Sequence, residues 1–242
     1  FSGEADAVAI AVRARRLAED IDYPDGVIWA MVREIAAMGN NNSGAPRDAA
    51  YLEALMDELL IVAPRATSPR SACEALITYA GYVFAQGNTD AAIESIEHSA
   101  AMADEAGQLY SAVLAYTTLA LFLADAGRLG SIEALLVALD RAADRSVDRQ
   151  TVWVVETAAS FLAHAGEGEL AARLIGAAEH QRSGGRNEMP PWDAERYEVT
   201  KATVKSATGP AYSDLVREGT GWNMGVAVQE AVRALSLISK GI

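Results

Sequence analysis

The 242-residue chain holds a single cysteine, Cys73, so no disulfide can close within it. That suits a reducing compartment, and the neighbours Ala72, Ala75 and Leu76 mark Cys73 as a small buried side chain rather than a reactive thiol. Lysine is nearly absent, at positions 201, 205 and 240 only, and 33 acidic against 20 basic residues leave a formal net charge of -13. No stretch gathers Arg and Lys on one face, which argues against direct nucleic-acid binding through this segment. No G-x-x-x-x-G-K-[ST] loop is there to cradle a nucleotide. Also missing is an apolar run of the roughly 18 residues that a membrane span needs. With no leader before the first helix, the chain is expected to be soluble and cytoplasmic. It starts at Phe1 rather than Met, as a piece cut from a longer polypeptide would.

Chemistry-bearing residues are equally sparse. The three histidines, His98, His164 and His180, fall on different helical segments without an i, i+4 partner, whereas a zinc site needs three or four convergent donors. No G-x-S-x-G elbow is present, and adjacent carboxylates such as Asp104 and Glu105 sit near a helix end, where solvation is the ordinary state. No catalytic residue, metal or cofactor is therefore expected, and the chain is not expected to be an enzyme.

What is abundant is alanine, at 49 positions, within a hydrophobic content of 51%. The intrinsic preference of nearly every segment is helical, and apolar periodicity predicts helices at about 4–20, 26–38, 46–63, 69–86, 89–106, 109–126, 130–145, 149–165, 167–182, 192–207, 210–218 and 223–239. One phrase recurs between them: Ala85-Gln86-Gly87-Asn88, Asp125-Ala126-Gly127-Arg128 and His164-Ala165-Gly166-Glu167, with the glycines 40 and 39 residues apart. A helix end, a glycine cap and a polar restart at that period mark helical hairpins, each burying its apolar face on the next. The fold class is all-α, a solenoid of four to five hairpins. Residues 1–182 form the repeats, 183–191 a Gly/Pro loop, and 192–242 a helical cap. Gly39 to Pro46 reads as a surface insertion. Trp192 and Trp222 read as rings that pin their loops onto the array, and Tyr197 and Tyr212 fit the same account.

From about Ala85 to Leu235 the chain resembles the tetratricopeptide-like region of large LuxR-type bacterial transcription regulators with a STAND-type nucleotide-binding module. The residues that carry the resemblance are Gly166-Glu167-Gly168-Glu169-Leu170-Ala171-Ala172-Arg173-Leu174-Ile175-Gly176-Ala177-Ala178-Glu179, then Pro190-Pro191, then Ala227-Val228-Gln229-Glu230-Ala231-Val232. Gly219-Thr220-Gly221-Trp222 departs from the more acidic, alanine-rich link of that family, and residues 1–70 match only as generic helices. The resemblance implies a right-handed solenoid of tetratricopeptide-like hairpins that takes a signal from a protein partner, a small-molecule effector or the parent's own nucleotide-binding module. DNA-binding domains would lie outside this chain. A free-standing adaptor that binds a peptide in its concave groove is the alternative.

Overlaying the first helices on their glycines brings Tyr82, Phe122 and Phe161 to one register, with Val83, Leu123 and Leu162 beside them; these are packing positions. A second stripe runs through Glu74, Thr78, Gly81 and Ala85, then Leu114, Thr118, Leu121 and Asp125, then Trp153, Thr157, Ser160 and His164. In tetratricopeptide-like arrays the first helices line the concave surface. The candidate ligand or peptide groove is accordingly Glu74, Thr78, Thr118, Asp125, Trp153, Thr157, Ser160 and His164, with Trp153 as its aromatic anchor.

Overall fold

The structure is a computed structural model that describes residues 3–39, 49–143, 149–183 and 191–241, with side chains at 7–38, 49–143, 149–183 and 194–241. The insertion after Gly39, the loop before Pro191 and the ring of Trp192 lie outside the described residues and side chains. All regular structure among the described residues is helical: α1 (Gly3–Asp20), α2 (Pro24–Gly39), α3 (Ala49–Val62), α4 (Pro69–Ala85), α5 (Thr89–Glu105), α6 (Leu109–Asp125), α7 (Ser131–Ala143), α8 (Arg149–His164), α9 (Gly168–Ser183), α10 (Pro191–Thr208), α11 (Tyr212–Gly219) and α12 (Met224–Gly241). The expected all-α class of paired helices holds. None of these helices is long and apolar enough to cross a membrane.

The glycines of the recurring phrase do what their spacing predicts. Gly87, Gly127 and Gly166 have φ of +82°, +63° and +89°, a region that side chains with a Cβ rarely enter. At the first of them, the Gly87 and Asn88 N–H groups return to the carbonyls of Phe84 and Val83, which closes the end of α4. The Asn88 side chain then accepts from the Ala91 N–H and opens α5.

The chain divides into two compact units, Phe1–Ser111 and Ala112–Ile242. In the first, α1 pairs with α2, α2 also meets α3 and α4, and α4 pairs with α5. Ile28, Met31, Leu55, Met56 and Leu59 form its fully buried centre, and the half-buried Tyr82 packs against that cluster. Two polar devices sit beside it. Arg15 donates to Glu58 at 2.7 Å and lies 3.5 Å from the fully buried Glu34, whose carboxylate also accepts from the Tyr51 hydroxyl. The Asp25 carboxylate accepts from the Thr67 hydroxyl and from the backbone N–H groups of Thr67 and Ser68, holding the link that leads into α4. Cys73 is fully buried, with its Sγ 3.6 Å from the Ser99 carbonyl while the Ser99 hydroxyl donates to the Cys73 carbonyl at 3.2 Å.

In the second unit α8 and α9 are central. Val152, Val154, Val155, Ala158, Ala159 and Leu162 of α8 are buried, as are Ala171, Ala172, Leu174, Ile175, Ala177 and Ala178 of α9; helices apolar nearly all round belong in a core. The helices after Pro191 close over them: α10 packs on α8 and α9, α11 on α9, and α12 on α7, α8 and α9. This tail therefore does more than cover a last hairpin, because Met224, Ala227, Val228, Ala231 and Leu235 of α12 are themselves core. The approach of α11 to α9 depends on two glycines. A Cβ built at Gly176 would stand 2.0 Å from the Val216 carbonyl oxygen, and one at Gly219 would stand 2.0 Å from the Arg173 carbonyl oxygen. Gly176 and Gly219 together let the two backbones meet.

Candidate functional site

The predicted stripe is divided between the two units and is not uniformly open. Glu74 and Thr78 belong to the first unit, and the other six residues to the second. Glu74 and Thr157 are each only 6% exposed. The three threonines that coincide in register turn their hydroxyls inward along their own helices: Thr78 donates to the Glu74 carbonyl at 2.7 Å, Thr118 to Leu114 at 2.9 Å, and Thr157 to Trp153 at 3.0 Å. Such bonding to the preceding turn is how a hydroxyl settles inside a helix. Thr118 lines none of the cavities described below.

In the second unit the stripe does converge on a site. Asp125, Ser160 and His164 line a cleft of about 980 Å3 together with Leu121 and Phe161, so the recurring aromatic position is half-buried here and borders a cavity. The opposite wall comes from helices that sequence periodicity did not implicate: Arg196, Val199 and Thr200 of α10, and Ile238 of α12. Arg196 crosses to α6 and pairs with Asp125 at 3.0 Å. The His164 ring is anchored by its Nδ1, 2.7 Å from the Ser160 carbonyl. Beside the cleft a cavity of about 20 Å3, on the order of one water molecule, is lined by Trp153, Thr157, Ser160, Arg196, Tyr197 and Thr200. Trp153 is thus half-buried beneath α10.

The wall contributed by α10 is built on a buried polar layer. Arg182 of α9 donates through Nε and Nη2 to both carboxylate oxygens of Glu156, at 2.6 and 2.5 Å, and Glu156 is 5% exposed. Tyr197 is buried as expected, and its hydroxyl makes no hydrogen bond among the described residues. Burial, followed by the negative field of Glu179 and Glu156, pushes this phenol well above its ordinary range, so it stays neutral. Lys201 sits over the Tyr197 ring at 5.0 Å and pairs with Glu198 and Glu179. Tyr197, Thr200 and Val204 make a buried stripe at spacings of three and four, the one local signal by which α10 could have been assigned to the site.

The mixture is that of a binding cleft: apolar walls from Leu121, Phe161, Val199 and Ile238, with a few polar groups already held by partners. His98, His164 and His180 are all exposed, and no group of three or more His, Cys, Asp or Glu among the described residues could hold a metal ion.

No family model and no curated protein matches the chain. Among solved structures it is similar to BtubC (BKLC) from P. vanneervenii, with a TM-score of 0.59 over 100% of this chain and 94% of that one. The two sequences are 14% identical, so what the chain shares with BtubC is an all-helical fold.

Proposed function

We propose that this chain is the non-catalytic interaction and sensor region of a LuxR-type bacterial transcription regulator, acting in the cytoplasm. DNA and nucleotide binding are assigned to domains outside it. The observation that carries this reading is the cleft of about 980 Å3 between the repeat helices and the C-terminal helices α10 and α12. An effector lodged there would touch repeat residues such as Leu121 and Phe161 and tail residues such as Val199 and Ile238 at once. Binding would then bias how the tail packs on the repeats, and a ligand shifts an equilibrium by its difference in affinity for two arrangements. The resembling stretch Ala171–Glu179 supports the assignment, because it forms the helix onto which that tail packs.

The test is a thermal-shift screen of the chain against a small-molecule library and against the parent's nucleotide-binding and DNA-binding domains, repeated with Ser160→Trp to fill the cleft. A small-molecule or domain-induced rise in stability that Ser160→Trp abolishes is the expected result. Shifts that survive the substitution, or none from either class, would remove the cleft from the function. A response to peptides alone would favour the free-standing adaptor.

A further inference from the structure

A second surface, independent of that reading, lies wholly within the first unit. Arg70, in the first turn of α4, places its guanidinium 5.2 Å from the Trp29 ring centroid on α2 and 4.4 Å from that of Tyr110 at the start of α6. Arg33, one turn along α2, lies 5.5 Å from the same indole. The Trp29 ring is held in place by its Nε1, which donates to the Ser71 hydroxyl at 3.1 Å. Both arginines are exposed, Trp29 and Tyr110 are half-buried, and three helices contribute to one cluster.

Neither guanidinium makes an ion pair or hydrogen bond with another described residue. Arg15, Arg65, Arg173, Arg182, Arg196 and Arg217 engage carboxylates, whereas Arg33 and Arg70 are held over aromatic rings instead. The acids of α2 and α4 are otherwise placed: Asp25 holds Thr67 and Ser68, Glu34 is taken by Arg15 and Tyr51, and Glu74 is buried. A guanidinium held over a ring by its charge leaves its N–H donors for a carboxylate that accepts two of them in parallel. Aromatic rings beside arginine are also the side chains that most often dominate binding energy at protein interfaces.

We infer that Arg33, over Trp29, and Arg70, over Trp29 and Tyr110, form a docking surface for an acidic peptide segment. Its carboxylates would meet the guanidinium edges and its apolar side chains the rings. Arg70 and Tyr110 are 40 residues apart, the interval from Gly87 to Gly127, so they occupy one register in consecutive repeats. A segment laid across the first helices would meet one after the other. A nucleic acid is the poorer occupant, because its affinity comes from many neutralised phosphates and this patch offers two cations within an acidic protein.

The experiment is fluorescence anisotropy with a fluorescein-labelled dodecapeptide of alternating Glu and Leu, beside its Gln-for-Glu counterpart and a labelled single-stranded oligonucleotide. We expect binding of the Glu peptide, at least about tenfold weaker binding of the Gln peptide, and roughly tenfold losses in Arg70→Ala and Arg33→Ala. Arg70→Lys should also weaken binding, since a point charge lacks the planar fork. Arg233→Ala on α12 should leave binding unchanged. Arg33 touches only its own helix in the cluster, so Arg33→Ala tests the idea even if Arg70→Ala loosens the packing. Absence of Glu-peptide binding, equal binding of the Glu and Gln peptides, affinity unaltered in both arginine-to-alanine variants, or tighter binding of the oligonucleotide would each overturn the inference.

Discussion

Gly176→Ala is the most direct test of how the second unit is built. The new methyl carbon would lie 2.0 Å from the Val216 carbonyl oxygen and 2.9 Å from its carbon, against an ordinary contact of about 3.5–4.0 Å. Because the obstructing atoms are backbone, no rotamer change relieves the clash, and α11 must move away from α9 by more than 1 Å (on the order of the shortfall). Overpacking costs about 1–3 kcal/mol, and a contact between two backbones belongs at about 3 kcal/mol. At about 2–4 °C per kcal/mol for a protein of this size, the melting temperature should fall by about 6–12 °C. The internal control is Gly81→Ala. That glycine is exposed in the middle of α4 with no atom within 4 Å of the added carbon, so the same substitution should stabilise by about 0.5–1 kcal/mol through helix propensity. Urea unfolding followed by far-ultraviolet circular dichroism reads both. If Gly176→Ala stays within the ~0.5 kcal/mol of a neutral surface change, the close α9–α11 approach is refuted.

Three further outcomes follow from the same structure. Burial alone would raise the Asp25 carboxyl, yet hydrogen bonds from the Thr67 hydroxyl, the Ser68 N–H, Ser71 and the Thr67 N–H outweigh it and hold the group below its ordinary value. Its stabilisation is therefore present above the unfolded carboxyl pKa of about 3.9 and is lost as pH falls through the folded value; a stability gap between wild type and Asp25→Ala that already closes above about pH 5 would contradict this. Glu156→Gln removes the buried charge that Arg182 holds through two hydrogen bonds and should cost about 3–5 kcal/mol, while Glu156→Leu combined with Arg182→Met should recover most of it; a double variant as unstable as the single one would refute the account. Cys73 is fully buried and burial pushes its thiol up, so an aromatic disulfide reagent should modify it only at the rate of unfolding; rapid modification of the native protein would show the α4–α5 contact to be open.

Most helices were legible because their signals are local. Alanine-rich periodicity and glycine caps place α4, α5, α6 and α8 within a residue of their observed ends. At α2 the start slipped by two residues because of proline: the helix begins at Pro24, where a first-turn residue needs no free N–H, and periodicity alone places its start at 26. The cleft was half legible. Asp125, Ser160 and His164 follow from the repeat register, but the facing wall does not, because Arg196 meets Asp125 across 71 residues of chain and no short-range pattern encodes that pairing. Gly219 looked like an anomaly for the same reason, as its partner surface on α9 is distant in sequence. The cluster around Arg70 was invisible too, being assembled from three helices that each carry only one or two of its members.

The back-bonded threonines change what the repeat surface can say to a partner. Thr78, Thr118 and Thr157 each commit their single hydroxyl proton to the preceding turn, so what they can present outward is a methyl group and oxygen lone pairs. At these three positions the stripe can accept hydrogen bonds and touch carbon but donates none, so any donor along it must come from other residues such as the Trp153 indole and the Ser160 hydroxyl. A partner's carbonyls find no donor at the threonines, where groups that bring their own N–H, or none at all, are preferred. Three hydroxyl protons turned to their own helices thus limit what each of these positions can offer.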